Sequence, residues 1–142
     1  MIELNEEVKS RLARAIDDGK TLTVAYVDAR DRPHISFYGS THVHGPDQLA
    51  IWVRDPQGAL PTTLDERPHV ALIYGDIAAR VYYTFEGRAR VESAAEIRDR
   101  VYAEMHPIEQ KFDPDRRGVA VIVDLDRFTT LSKAGKQVQE RD

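Results

Sequence analysis

The sequence predicts an α+β protein, a small antiparallel sheet of six or seven strands curled into a barrel with helices at its periphery. Three observations carry that prediction. Short runs rich in β-branched and aromatic residues follow one another through brief polar turns. Helical periodicity is confined to three separate places. The chain has 142 residues, 42% of them hydrophobic, which suits one domain over 1–142 with a single core. So many strands in so short a chain must curl to dispose of their edges.

The first segment is an amphipathic helix, with Leu4, Val8, Leu12, Ala15 and Ile16 at spacings of three and four, a cap at Asn5 and a stop at Gly19. A strand over Thr21–Val27 turns through Asp28–Arg32 into a second strand from Pro33 to Val43, making a hairpin. His44–Asp47 is a turn, and Gln48–Val53 a third strand. Arg54–Gly58 reads as a loop, and Pro61 lies in the first turn of a short helix ending near Glu66. His69–Tyr74 is a buried strand. Along Arg80–Val91, Val81, Tyr83, Phe85, Ala89 and Val91 face one way, and Tyr82, Thr84, Glu86, Arg88 and Arg90 the other. Ser93–Glu96 has the form of a capping box before a helix that Pro107 ends. Two last strands fall at Val119–Leu125 and Phe128–Leu131, and residues 132–142 read as a polar, frayed tail.

Composition narrows the function. With no cysteine there is no disulfide, thiolate metal site or cysteine nucleophile. A net charge of −4 with scattered basic residues speaks against a nucleic-acid surface. No apolar run reaches bilayer length and the N-terminus lacks an apolar signal core, so no membrane association and a cytoplasmic location are expected.

Few residues suggest chemistry directly. His34, His42 and His44 share one face of the second predicted strand, and the last two stand about 7 Å apart, compatible with a shared metal. A polar strand face explains them more simply, and no metal site is assigned. The Arg54–Gly58 loop has the ingredients of an anion site: amides at a helix start, an adaptable Gly58, the Arg54 guanidinium, and the hydroxyls of Thr62 and Thr63. An ordinary turn, with Arg54 paired to Asp55 or Asp65, accounts for it equally well. Trp52 is either core or the wall of a ring-binding site. No catalytic triad, Walker loop or Rossmann glycine pattern is present.

The order of these elements resembles the flavin-binding split β-barrel superfamily, the pyridoxamine 5′-phosphate oxidase-like proteins. The segments that carry the resemblance are TLTVAYVDARDRPHISFYGS, LAIWVRDPQGALPTTLDERPHVALIY and VYYTFEGRARV. It implies a Greek-key split barrel and a homodimer with the cofactor at the subunit interface. It also implies an FMN- or deazaflavin-dependent oxidoreductase acting on a small conjugated molecule. A non-catalytic flavin- or haem-binding protein is the alternative. No catalytic side chain is assigned, because the flavin carries the hydride. By resemblance, Ser36, Phe37, Tyr38 and Gly39 border the flavin ring; Trp52, Val53 and Arg54 lie along it. Gln57 and Gly58 hold its phosphate, and Arg80 and Tyr82 reach the partner's cofactor. One position departs from the family: the lysine expected eight residues before Pro68 is Leu60. Arg54 must then supply the missing charge. Tyr82 and Tyr83, on opposite faces of one strand, give more ring surface than one interior can bury, which also favours a homodimer.

Overall fold

The computed structural model describes residues 1–142. Its helices are α1 (Glu6–Ala13), α2 (Ala59–Thr63), α3 (Ala95–Glu104) and α4 (Pro107–Phe112). Its strands are β1 (Thr23–Val27), β2 (Pro33–Phe37), β3 (His42–Gly45), β4 (Gln48–Val53), β5 (His69–Asp76), β6 (Val81–Glu92), β7 (Val119–Ser132) and β8 (Gly135–Glu140). Every pairing is antiparallel, along the path β2-β1-β5-β6-β7-β4-β3.

Chain connectivity forces this sheet to curl. Laid flat, its two edge strands would stand about 29 Å apart, six steps of about 4.8 Å each. Yet those edges, β2 and β3, are consecutive in sequence and joined only by Tyr38–Thr41, a connection that reaches about 17 Å at most. The result is the expected α+β split barrel, with eight strands rather than six or seven. The hydrogen-bonded ladder stays open, since β2 and β3 do not pair with each other. The long strand β7 makes the split. One of its edges pairs with β6; the other pairs with β4 over Val119–Asp124 and with β8 over Arg127–Ser132.

Five expectations need correction. The run Pro33–Val43 is two strands, because the chain turns at Tyr38–Thr41 to pass from one edge of the sheet to the other. Val119–Leu125 and Phe128–Leu131 are one strand that continues through a bulge opposite Glu86 and Gly87. Pro107 begins α4 as well as ending α3, its ring occupying a first-turn position where no amide is needed. The tail is β8: a tight turn with Gly135 at φ 105° folds it back on β7, and the Met1 ammonium donates to Glu140 O at 2.8 Å. The Ser93 capping box does not form either. The α3 N-cap is Ala94, and no side chain caps it.

Two cores result. Inside the barrel, Val24, Leu49, Ile51, Leu72, Tyr74, Phe85, Val121 and Leu125 are fully buried, and α1 with the turn after it adds Val8, Leu12 and Ala15. A smaller core outside it packs Val101 and Tyr102 of α3 and its C-cap residue Met105 against Ala50, Trp52, Ala120 and Ile122. Strands β4 and β7 are therefore covered on both faces where these cores meet, which explains their nearly unbroken apolar sequence.

One side chain ties the β2–β3 connection to the end of β4. The Ser40 hydroxyl donates to Trp52 O at 2.8 Å and accepts from Trp52 N–H at 2.9 Å, standing in for a strand partner where β3 has ended. All of this is buried, so Ser40→Ala leaves two backbone groups unsatisfied. Denaturant unfolding of that variant is expected to show a loss of about 1–3 kcal/mol.

Stability should also fall on the acid side in two stages. Burial lowers the pKa of His42 and His44 below the usual value of 6.5. The unfolded chain then takes up protons first, and stability held above about pH 6.5 is lost as pH falls below it. Burial alone would raise the Asp113 pKa, but donors from Trp52, Arg117 and Gly118 outweigh it and hold it below 3.8. His34 and the Arg32 and Arg30 amides hold Asp28 at about 2. Those contributions persist above about pH 4 and disappear as pH falls through the lowered values. Denaturant midpoints measured from pH 7.5 to 2.5 should decline in both windows; a flat profile across them contradicts these assignments.

Candidate functional site

Where the sheet curls over the Tyr38–Thr41 connection, it leaves a cleft of about 600 Å³, within the ordinary range for small-molecule sites. One wall is the end of β2 and the chain after it: Ser36, Phe37, Tyr38 and Gly39. The floor is the end of β4 with Trp52 and Val53, followed by Arg54 and Asp55. Gly58 to Pro61 close one end, and Ile108, Glu109 and Phe112 of α4 stand opposite. Gly39 is glycine because α4 comes so close: a Cβ there would lie 3.0 Å from Glu109 Oε2 and from Ile16 Cδ1.

Eight of the expected residues thus meet in one place: Ser36, Phe37, Tyr38, Gly39, Trp52, Val53, Arg54 and Gly58. Gln57 is exposed and does not line the cleft. Tyr82 lies on the outer face of the sheet beside Ile73, Thr84, Thr129 and Leu131, and Arg80, at φ 55°, forms the turn before β6. Both are remote from this chain's own cleft. The α4 side chains were missed in the sequence because Pro107 reads as a stop. Phe112, five residues on, is the aromatic that the pattern left unassigned.

The contributions are chemically distinct. Trp52 gives the cleft only its backbone. Its ring is buried in the outer core, edge-on to Tyr102, with Nε1–H donating to Asp113 at 2.8 Å. Phe37 and Phe112 are exposed and supply the apolar walls. Burial pushes the Tyr38 phenol up, so it is neutral; its ring packs against the barrel core with the Tyr26 hydroxyl beside it. Three lining residues are charged: Arg54, Asp55 and Glu109. Arg54 pairs with neither Asp55 nor Asp65; its guanidinium lies 5.0 Å above the Phe112 ring.

The end formed by Gln57–Pro61 is a poor anion cradle. Asp55 Oδ1 accepts from Gln57 N–H at 2.9 Å, and Asp55 O accepts from Gly58 N–H at 3.0 Å. The Thr62 hydroxyl donates to Gly58 O at 2.7 Å. Leu60 is 1% exposed and belongs to the barrel core. The ring-binding part of a flavin fits this cleft, with its apolar walls and adjacent backbone. At the end where the resemblance puts the phosphate of FMN, the amides of Gln57 and Gly58 are engaged and α2 carries no cation.

The three histidines do not make a common site. His34 is on β2, stacked on Tyr26 with ring centroids 4.8 Å apart and bonded to Asp28 at 2.8 Å. His42 and His44 are on β3; His42 donates from Nδ1 to Ser40 O at 2.7 Å. No three His, Cys, Asp or Glu side chains gather as a metal site.

The family model described as pyridoxamine 5′-phosphate oxidase matches residues 5–129, and the chain belongs to that split-barrel family. Among solved structures, it is similar to Group A Streptococcus HupZ, at 17% identity and TM-score 0.70, over 94% of this chain and 98% of that one. An FMN-binding, pyridoxamine 5′-phosphate oxidase-related protein of Nostoc punctiforme aligns at 14% identity and TM-score 0.73, over 93% and 86%. A heme binding protein of Mycobacterium smegmatis aligns at 15% and 0.66, over 96% of this chain and 60% of that one. At these identities the likeness concerns the fold. No curated protein matches. No helix is long and apolar enough to cross a membrane.

Two substitutions separate the roles of the charged end. Leu60→Lys puts an ammonium into the barrel core and should destabilise by about 3 kcal/mol or more. Arg54→Ala removes an exposed side chain and should stay within about 0.5 kcal/mol of the parent in the same unfolding assay.

Proposed function

We propose that the protein binds a flavin-type conjugated ring, of a flavin or a deazaflavin, in this cleft and serves as a homodimeric oxidoreductase on a small organic substrate. The observation that carries the reading is the convergence of Phe37, Tyr38 and Phe112 with the backbone of Trp52 and Val53 around one cleft sized for a small molecule. Such walls stack on a flat ring. Family membership and the fold shared with an FMN-binding protein are consistent with it. A bound ring of this class supplies hydride transfer itself. The chain's part is to orient it, exclude water from one face and admit the substrate on the other. Haem is disfavoured, because the one lining side chain of a kind that ligates haem iron, Tyr38, packs against the barrel core.

The dimer reading rests on a surface continuous with the cleft. From Phe37, which is 71% exposed, the paired residues Thr23, Ile73, Thr84, Thr129 and Val138 run across the outer face of the sheet. Leu131 and Tyr82 pair beside that row. A row of exposed apolar side chains and uncharged threonines on a sheet face is the kind of surface a second copy covers. In such a dimer the partner's Tyr82 and Arg80 would lie toward the cleft, the role the resemblance implies for them.

Fluorescence titration with riboflavin and a deazaflavin should show saturable binding of one ring per chain, and Phe112→Ala should weaken it roughly tenfold. Reduction of the bound ring by NADH, NADPH or a chemically reduced deazaflavin, with turnover of an acceptor, marks an enzyme. Binding without electron transfer marks a binding protein. Light scattering should give a dimer, and a monomer at micromolar concentration contradicts the shared-site reading.

A further inference from the structure

We infer that Asp55 is a specificity residue that closes the cleft to phosphorylated ligands, so that the ring taken here carries no terminal phosphate. The inference rests on the ring-binding reading above and adds the class of ligand. An incoming phosphate needs donors that are free and charge that is positive. At this end the turn that leads into α2 has its own donors engaged, leaving the amides of Ala59 and Leu60. The Gln57 amide is held by the Asp55 carboxylate and the Gly58 amide by the Asp55 carbonyl. The Thr62 hydroxyl is turned back onto Gly58 O. The second oxygen of the Asp55 carboxylate stands over Gly58, 3.7 Å from where a Cβ would be. A carboxylate thus occupies the turn where an anion would sit.

The surrounding charge points the same way. Leu60 puts a core side chain, not a cation, at the start of α2. Glu109 sets a second carboxylate against Gly39 on the opposite wall. Against these two anions the lining offers one cation, Arg54, whose guanidinium is engaged with the Phe112 ring. A phosphate dianion entering this end would meet like charge at short range and displace an intact turn. A neutral ring compound whose edge carries N–H or O–H donors meets acceptors instead. The ligand class that fits is a flat, conjugated heterocycle with a neutral polyol or amine substituent, such as an unphosphorylated flavin.

The test is a pair of titrations at low ionic strength, riboflavin and FMN, on the full chain and on Asp55→Asn and Asp55→Gly. The unsubstituted protein is expected to bind riboflavin about tenfold or more tightly than FMN. Asp55→Asn, which removes the charge and keeps the turn, should narrow that ratio. Asp55→Gly, which also frees the Gln57 amide, should move it toward FMN by about tenfold. The shift should shrink in high salt, as a charge effect does and a fold defect does not. FMN binding as tightly as riboflavin in the unsubstituted protein, or a ratio that neither variant moves, overturns the inference while leaving the ring site standing. No binding of either flavin by any of the three proteins overturns the ring site, and the inference with it.

Discussion

Tyr38–Thr41 joins the two ends of a seven-strand path, and the geometry of the site follows from the shortness of that connection. Four residues cannot span a flat sheet of this width, so the sheet curls until its edges meet. The edges meet without pairing. Within the connection, the Ser40 hydroxyl donates to Trp52 O and accepts from Trp52 N–H, which ties it to the end of β4; just beyond, the ends of β2 and β4 separate. The cleft is that separation. Its sides are the end of β2 and the end of β4, so the same constraint that closes the barrel sets Phe37 across from Val53.

Two further elements depend on this seam. Trp52 is held on one side by Ser40 and on the other by Asp113 and Tyr102, which ties the barrel to the outer core of α3. Helix α4 continues from that outer core across the cleft. It has no fully buried side chain. His106 caps it by accepting from Ile108 N–H at 3.1 Å while its Nε2 faces Asp17 at 2.8 Å. Gln110 donates to Tyr102 O at 2.8 Å. A short element held mainly by polar contacts at its ends is the part of such a site best able to yield when a ligand enters.

Much of this was legible in the residues, and the failures have identifiable physical causes. Alternation along Val81–Val91 and the apolar runs of β4 and β5 encode burial directly, so those strands and their faces could be read. Position 91 is an exception: Val91 is exposed beyond the reach of either core. The break at Tyr38–Gly39 carries no strong turn signal, because it is imposed by the curl and by α4 approaching Gly39, both non-local. Strand β8 is polar and holds its place through ladder bonds to β7 and a contact with the N-terminus, none of which leaves a local pattern. The segments that converge on the cleft are readable in the sequence, and the structure brings Phe37, Tyr38 and Arg54 together there. The charge at its end is not readable, because pairing Asp55 with the Gln57 amide depends on backbone geometry rather than on residue type.

The central claim is that one ring-binding cleft lies at the seam where the curled sheet meets itself. Backbone amide NMR during titration with riboflavin tests it most directly, because it reports location independently of affinity or turnover. Shifts should concentrate at residues 36–39, 52–59 and 108–112, with smaller ones at 80–84 if a partner chain completes the site. Shifts confined to other parts of the barrel, or spread without pattern over the surface, would contradict it.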